Sequence, residues 1–405
     1  MKYPIYMDYA ATTPCDPRVL NEMSPYFLEH FGNPNSLHAY GTAALEALDT
    51  ARGKVSELIN ANFEEIVFTS GATESNRIVI ERPIQRLMKQ GKNHFITTKT
   101  EHKSVFEMAD CVIALGGEVT FLDVLHDGVI DLSHLAACIK GSTSLCSICF
   151  VNNETGVFQD IKSIAKICHE RDVLIHTDAT QAFGKIPIDI KDLDVDFLSA
   201  SGHKIYGPKG IGMLFAKRQI QRLLRVPDAN REVEFGIRSG TVPVPLCVGM
   251  GKASEIASHE MAEDLARISR LRKMLVEGIS SRLDEIYING SDSGYPGIVN
   301  VSFRGCEGEA LMMEASRLAV SSGSACTSNK LSISHVLKAM NIPTDIAQAS
   351  IRISIGRPTT EQDINVAIES LVTATQKLRK MSPIWDMIKA GVNLDAFFGS
   401  KEHEI

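Results

Sequence analysis

The chain reads as an α/β protein with a mostly parallel sheet covered by helices, joined to a smaller α+β unit. Three observations predict this. Short apolar runs alternate with helix-like stretches through the first 215 residues or so. The runs are rich in Ile, Val and Phe with little alternation, as strands buried on both faces are. And 405 residues exceed the ~250–300 at which a single hydrophobic core stops growing.

The elements follow in order. EEIVFTSG (64–71), HFITTKT (94–100), EVTFLDV (118–124), LCSICFVNN (145–153), DVLIHTDAT (172–180), DFLSAS (196–201) and IGMLFAK (211–217) read as strands. Helical patterns at 42–60, 74–90, 103–115 and 160–170 lie between them, the alternation of a doubly wound layer. From about 245 the texture changes: one long helical pattern through 250–284, then GIVNVSF, a Ser- and Gly-rich loop at 321–328, SIRISIG, and a last helix from Thr360 to about Met381. A helix that long can bridge two domains. The segment from Ser382 to the end carries the only tryptophan, Trp385, and reads as a docked or partner-binding tail.

Composition narrows the function classes. With 42 Lys and Arg against 49 acids, the net charge of −7 argues against a nucleic-acid surface. No run of ~18 apolar residues suggests a membrane span. Nine scattered cysteines without a signal peptide point to a reducing compartment. Cys146 and Cys149 form a C-x-x-C, but within a buried strand pattern, where neither a redox pair nor a metal site is expected.

The candidate chemistry sits at strand ends. Lys204, in SGHKIYGPKGIG, follows a strand and stands beside Ser201 and His203, where an imine with an aldehyde cofactor can form. Taken alone it is a surface lysine. Asp178 ends the run VLIHTD at the edge where open α/β sheets bind ligands. A buried carboxylate needs a charged partner, and a pyridinium N–H would be one; the plain alternative is a helix N-cap. Ser70 to Ser75, with Ala72 and Thr73, opens a helix and suits a phosphate, or is an ordinary capping box. His102 and Asn153 come from two further strand ends. Five strand ends delivering Thr73, His102, Asn153, Asp178 and Lys204 to one edge is the strongest internal argument for a site. Cys326, in SSGSACTS, is expected to be exposed on a flexible loop, a nucleophile that travels or an incidental thiol. Arg352, mid-run in SIRISIGR, needs a carboxylate from substrate or from a buried pair.

As a set these residues resemble the cysteine desulfurases, fold-type I pyridoxal-phosphate enzymes of the class V aminotransferase group, IscS-type members above all. The likeness runs through MDYAATTPCDPRV, FGNPNSLHAYG, EEIVFTSGATES, TKTEHKSV, VNNETGV, HTDATQAFGK, SGHKIYGPKGIG, RSGTVP, SSGSACTS, SIRISIGR and the SPIWDMIKAGVNL tail, in family order. It implies pyridoxal 5'-phosphate on Lys204, with Asp178 at the pyridine nitrogen, Gln181 at the phenolic oxygen and His102 on the ring. Ala72, Thr73, Ser201 and His203 would hold the phosphate. Thr241 would reach the neighbouring subunit's phosphate in a homodimer, and Asn153 and Arg352 would orient the substrate carboxylate. L-cysteine would displace Lys204, whose freed amine takes the Cα proton. Cys326 would then take the sulfur as a persulfide and leave alanine. The persulfide would pass to an iron–sulfur scaffold protein or another acceptor, Cys326 transiently ligating the nascent cluster.

The resemblance also implies a large domain at 12–257 and a small one from 1–11 and 258–405, with a location in bacterial cytoplasm or, if a transit peptide has been removed, a mitochondrial or mitosomal matrix. Three segments depart from the family pattern: Asn230 to Gly236 lacks the usual glycines, Arg77 replaces an Asn, and GCEGEALMMEASRLAV precedes the cysteine loop. Competing readings are a selenocysteine lyase, a plain class V aminotransferase, and a non-catalytic persulfide carrier.

Overall fold

The structure is a computed structural model that describes residues 4–226, 233–291, 293–322 and 333–392. Twelve strands are defined: β1 (Ile5–Tyr6), β2 (Ile66–Thr69), β3 (His94–Thr98), β4 (Glu118–Leu122), β5 (Thr143–Cys149), β6 (Leu174–Asp178), β7 (Phe197–Ser201), β8 (Gly212–Ala216), β9 (Ile286–Asn289), β10 (Ile298–Phe303), β11 (Leu318–Ala319) and β12 (Ser350–Ser354). β2 to β8 form one seven-stranded sheet in the order β2-β8-β7-β6-β5-β3-β4. Only β8 runs against the others. All seven runs read as strands from the sequence are therefore strands of this sheet.

β5 and β7 are buried at every position, which explains their unbroken apolar texture: helices cover both faces. Cys146 and Cys149 lie on β5, both buried with their thiols pushed up, Cys146 by its contact with Cys168 and by burial, Cys149 by burial and the nearby Glu101. The C-x-x-C is thus part of the core. The helices Ala39–Leu58, Ala72–Leu87, Lys103–Ala114 and Ile161–His169 match the expected positions to within a few residues.

A 37-residue helix, Val244–Ser280, begins six residues before the expected start, because Pro245 suits a helix's first turn and does not break it. Its first half packs into the large core through Cys247, Met250 and Ala253; its second half packs Ile268, Leu271 and Leu275 into another cluster. That second cluster joins Met7 to the antiparallel sheet β12-β10-β9 and to the helix Glu361–Lys380. The expected domain boundary at 257/258 falls within the long helix. β1 pairs with β11, and Ser354 N donates to the Met7 carbonyl at 2.8 Å. The N-terminal segment is thereby tied to the second cluster before it crosses to the large sheet. No described helix is long and apolar enough to cross a membrane.

Candidate active site

Six of the seven large-sheet strands point the same way, so their carboxyl ends share one edge. There β2, β3, β5, β6 and β7 deliver Thr73, His102, Asn153, Asp178 and Lys204 to a single cleft of about 690 Å³. Ala72, Gln181, Ser201, His203 and Arg352 line the same cleft. Thr241 does not; it is exposed elsewhere on the surface. Cys326 lies outside the described residues, as do Asn230, Arg231 and Glu232.

The Ala72–Leu87 helix starts directly after β2, with Gly71 as its N-cap. Glu74 accepts a hydrogen bond from Ser70 N at 2.5 Å and one from Arg238 Nε at 3.1 Å, but the N-cap Gly71 has no side chain to donate or accept, so the segment is not the ordinary capping box. The cap leaves the small residues facing the cleft, where backbone N–H groups and the helix dipole favour an anion. Gly212 makes this turn possible: a Cβ there would sit 2.5 Å from Gly71 Cα.

Asp178 is 7 % exposed. Its Oδ2 accepts from Asn76 Nδ2 at 2.8 Å and its Oδ1 from Thr180 N at 3.0 Å. It caps no helix, only the turn at Thr180. Among the described residues no cation pairs with it, so the carboxylate is oriented but not neutralised. Asn76, itself fully buried, also donates to Ser104 Oγ at 3.1 Å. Ser104 in turn fixes His102, whose Nδ1 accepts from Ser104 N at 3.2 Å. The cleft walls desolvate the His102 imidazole and lower its pKa, with Asp178 acting in the opposite direction.

Lys204 Nζ donates to the carbonyl oxygens of Ala10 and Ala11, each at 2.6 Å. Gln181 Nε2 donates to the same Ala10 oxygen at 2.8 Å, and its Oε1 accepts from Lys185 Nζ at 2.6 Å. The N-terminal segment is thus a wall of the cleft. Ala10 N donates to Ser354 Oγ at 2.9 Å, and Thr12 Oγ1 lies 3.1 Å from His203 Nδ1. Burial, then Lys204 and Lys209, push the His203 pKa down to about 4, so its ring is neutral at physiological pH. Arg352 has an internal partner: Nη2 meets Asp8 Oδ1 at 2.8 Å and Nη1 the Asn153 carbonyl at 2.9 Å.

These groups fit a pyridoxal phosphate. An anion-binding helix start, an amine and an un-neutralised buried carboxylate stand on three strand ends of one cleft, the donor set that such a ring, its phosphate and its aldehyde need. Sequence reasoning missed Asp8, Ala10, Asn76, Ser104 and Glu101. Asn76 and Glu101 each stand within three residues of a predicted site residue, which is the signal that could have found them; Asp8 and Ala10 lie far away in sequence.

Of the departures, Arg77 is an exposed residue paired with Glu81 at 3.0 Å. Glu234 makes a buried bidentate pair with Arg52, at 2.8 and 3.1 Å, and accepts from Phe68 N at 2.6 Å.

Residues 5–366 match the family model described as aminotransferase class-V. The chain is 48% identical over 400 residues to cysteine desulfurase IscS of Pseudoalteromonas translucida (strain TAC 125), covering 98% of each. It is 47% identical over 393 residues to the cysteine desulfurase of Homo sapiens, covering 96% of this chain and 86% of the relative. Among solved structures, a NifS-like protein superposes with TM-score 0.86 at 34% identity, over 92% of this chain and all of the other. SspA in complex with cysteine gives 0.78 at 34%, over 87% and 99%.

Proposed function

We propose, for a chain that belongs to the class V aminotransferase family and within it to the cysteine desulfurases, that this protein converts L-cysteine to L-alanine and keeps the sulfur as a persulfide on Cys326. The sulfur then supplies iron–sulfur cluster assembly. The observation that carries the reading is the sharing of one cleft by the Asp178 carboxylate, at the end of one strand, and the Lys204 amine, in the turn that follows the adjacent parallel strand.

Lys204, Asp178, Gln181, His102 and the segment Ala72–Thr73 with Ser201 and His203 would hold the pyridoxal phosphate. When bound, that group withdraws electrons from the substrate's Cα and Cβ. The chain's own residues do the rest. Arg352, with Asn153, binds the substrate carboxylate, Asp8 giving up its place on the guanidinium. Lys204, released from the cofactor, removes the Cα proton, and the Ala10 and Ala11 carbonyls that it meets here keep the amine aimed into the cleft. His102 holds or returns a proton at the cofactor edge, its lowered pKa keeping it a competent base. The Cys326 thiolate bonds to the substrate sulfur as the Cβ–S bond breaks, and the pair left on carbon takes a proton to give alanine.

Thr241 would complete the neighbouring subunit's phosphate site, making the working unit a homodimer with domains at 12–257 and at 1–11 plus 258–405. A scaffold protein would receive the persulfide. Relatives are bacterial as well as mitochondrial by name, so cytoplasm or an organelle matrix is the proposed location.

The test is uptake of pyridoxal 5'-phosphate. The purified protein takes up one equivalent per chain with a visible absorption band, and Lys204→Ala abolishes that band. A protein that binds no cofactor contradicts the reading.

A further inference from the structure

Glu101 is fully buried beneath the cleft, at the turn that follows β3. Its Oε1 accepts two hydrogen bonds, from Cys149 N at 2.8 Å and from Thr98 Oγ1 at 3.0 Å. Its Oε2 is buried and meets no hydrogen-bond partner. The carboxyl therefore spans β3 and β5, and Cys149 stands in register opposite Asp178 on β6.

The groups around it offer no positive charge. From β5 come the thiols of Cys149 and Cys146, both held protonated. From β6 comes Asp178, a like charge that adds to the effect of burial on Glu101. On its own segment the imidazole of His102 turns to Ser104, and His335, from the helix His335–Ala339, meets the Glu101 backbone carbonyl at 3.0 Å and not the carboxyl. An anionic oxygen left dry and unpaired costs several kcal/mol, and such a group takes a proton instead.

We infer that Glu101 is a positioning residue: a neutral carboxylic acid that locks the ends of β3 and β5 beneath Asp178 and leaves Asp178 as the single negative charge on the cleft floor. The consequence is electrostatic. Ionising Glu101 places a second anion beside the first, raises the proton affinity of Asp178's ring partner, and loosens the β5 end that carries Asn153. Burial, with the Asp178 charge behind it, raises the Glu101 pKa to about 8, so the change falls just above neutrality. The role is distinct from the residues assigned above, none of which holds a proton in the floor.

This inference rests on the cleft being a pyridoxal-phosphate site, and its test has two arms so that the two failures are separable. The first uses cofactor-free protein and pH-difference infrared spectroscopy. A protonated carboxylic acid C=O stretch is expected at pH 6, disappearing as pH rises through about 8 and missing from Glu101→Gln at every pH. Wild-type protein with no such band across that range overturns the assignment, whether or not the variant folds. The second arm titrates the visible spectrum of the cofactor-loaded protein. Wild type shows a transition near pH 8 that Glu101→Gln, permanently neutral and nearly isosteric, loses while keeping its cofactor. Superimposable titrations of the two proteins overturn it. Failure to take up cofactor refutes the proposed function instead, and the infrared result then decides Glu101 by itself.

Discussion

Arg352 Nη2 lies 2.8 Å from Asp8 Oδ1, so the guanidinium proposed for the substrate carboxylate is already held by a carboxylate of the N-terminal segment. Its Nε is buried and has no partner among the described residues. The pair keeps the fork aimed at the cleft, and the incoming substrate exchanges one anion for another. Arg352→Lys keeps the charge but loses the two-pronged geometry. Charge-assisted hydrogen bonds of about 1.5–3 kcal/mol predict a KM for L-cysteine raised roughly 10- to 100-fold, with cofactor uptake unchanged. Steady-state kinetics check this; an unchanged KM would remove Arg352 from substrate binding.

The Arg52–Glu234 pair is almost dry, at 4 % and 1 % side-chain exposure. The guanidinium also faces the rings of Phe63, Phe68 and Phe235. Removing one partner strands the other, so Glu234→Ala should cost about 3–5 kcal/mol in urea unfolding. Replacing both, Arg52→Met with Glu234→Leu, should recover most of that loss. A single change within ~1 kcal/mol of wild type would mean that the pair carries little stability.

Gly212→Ala places a methyl against Gly71 Cα and the Ala200 carbonyl, at 2.5 and 2.6 Å. Both obstacles are backbone, so the turn before Thr73 must move. Overpacking of this kind costs about 1–3 kcal/mol, and affinity for pyridoxal 5'-phosphate should fall roughly tenfold or more. Equilibrium titration of cofactor-free protein measures it, and wild-type affinity would show that the turn is not part of the phosphate site.

Buried histidines should contribute to acid lability, two of them most strongly. His176 is fully buried between Ser147 and Ser199, and burial lowers its pKa to about 4; His203 is lowered to about 4 by burial and the neighbouring lysines. An unfolded histidine titrates near ~6.5. Between these values the unfolded chain binds protons that the native protein does not, so stability falls as pH drops from about 6.5 toward about 4. His203→Gln should flatten part of that slope in urea unfolding measured at several pH values. An unaltered slope would show that His203 ionises as freely in the native protein as in the unfolded chain.

The parts of the fold legible in the sequence are those where one local signal decides. β5 and β7 are dry on both faces, so LCSIC and DFLSAS are apolar without alternation. Lys204 and Asp178 were legible as a pair because strand ends of a parallel sheet share an edge whatever lies between them. Asp8 and Ala10 were not, since their roles depend on chain crossings of 171 to 344 residues that no local pattern encodes. Glu101 escaped for another reason: TKTEHKS looks polar and exposed, whereas packing of β3 against β5 buries the acid completely. For Arg352 both sequence options are compatible with the observed geometry, an internal carboxylate now and a substrate's in turnover. The long helix begins earlier than expected, at Val244, where Pro245 sits in its first turn.

The most direct test of the account is alanine formation from L-cysteine by cofactor-loaded protein in the presence of a reducing thiol, compared among wild type, Lys204→Ala and Cys326→Ser. Wild type should release alanine and sulfide together. Lys204→Ala should lower alanine formation at least about a hundredfold, the low end of a lost acid–base group. Cys326→Ser should keep the cofactor's visible band while losing sulfide release. Alanine and sulfide produced at the wild-type rate by Cys326→Ser, or no alanine from any of the three, would contradict it.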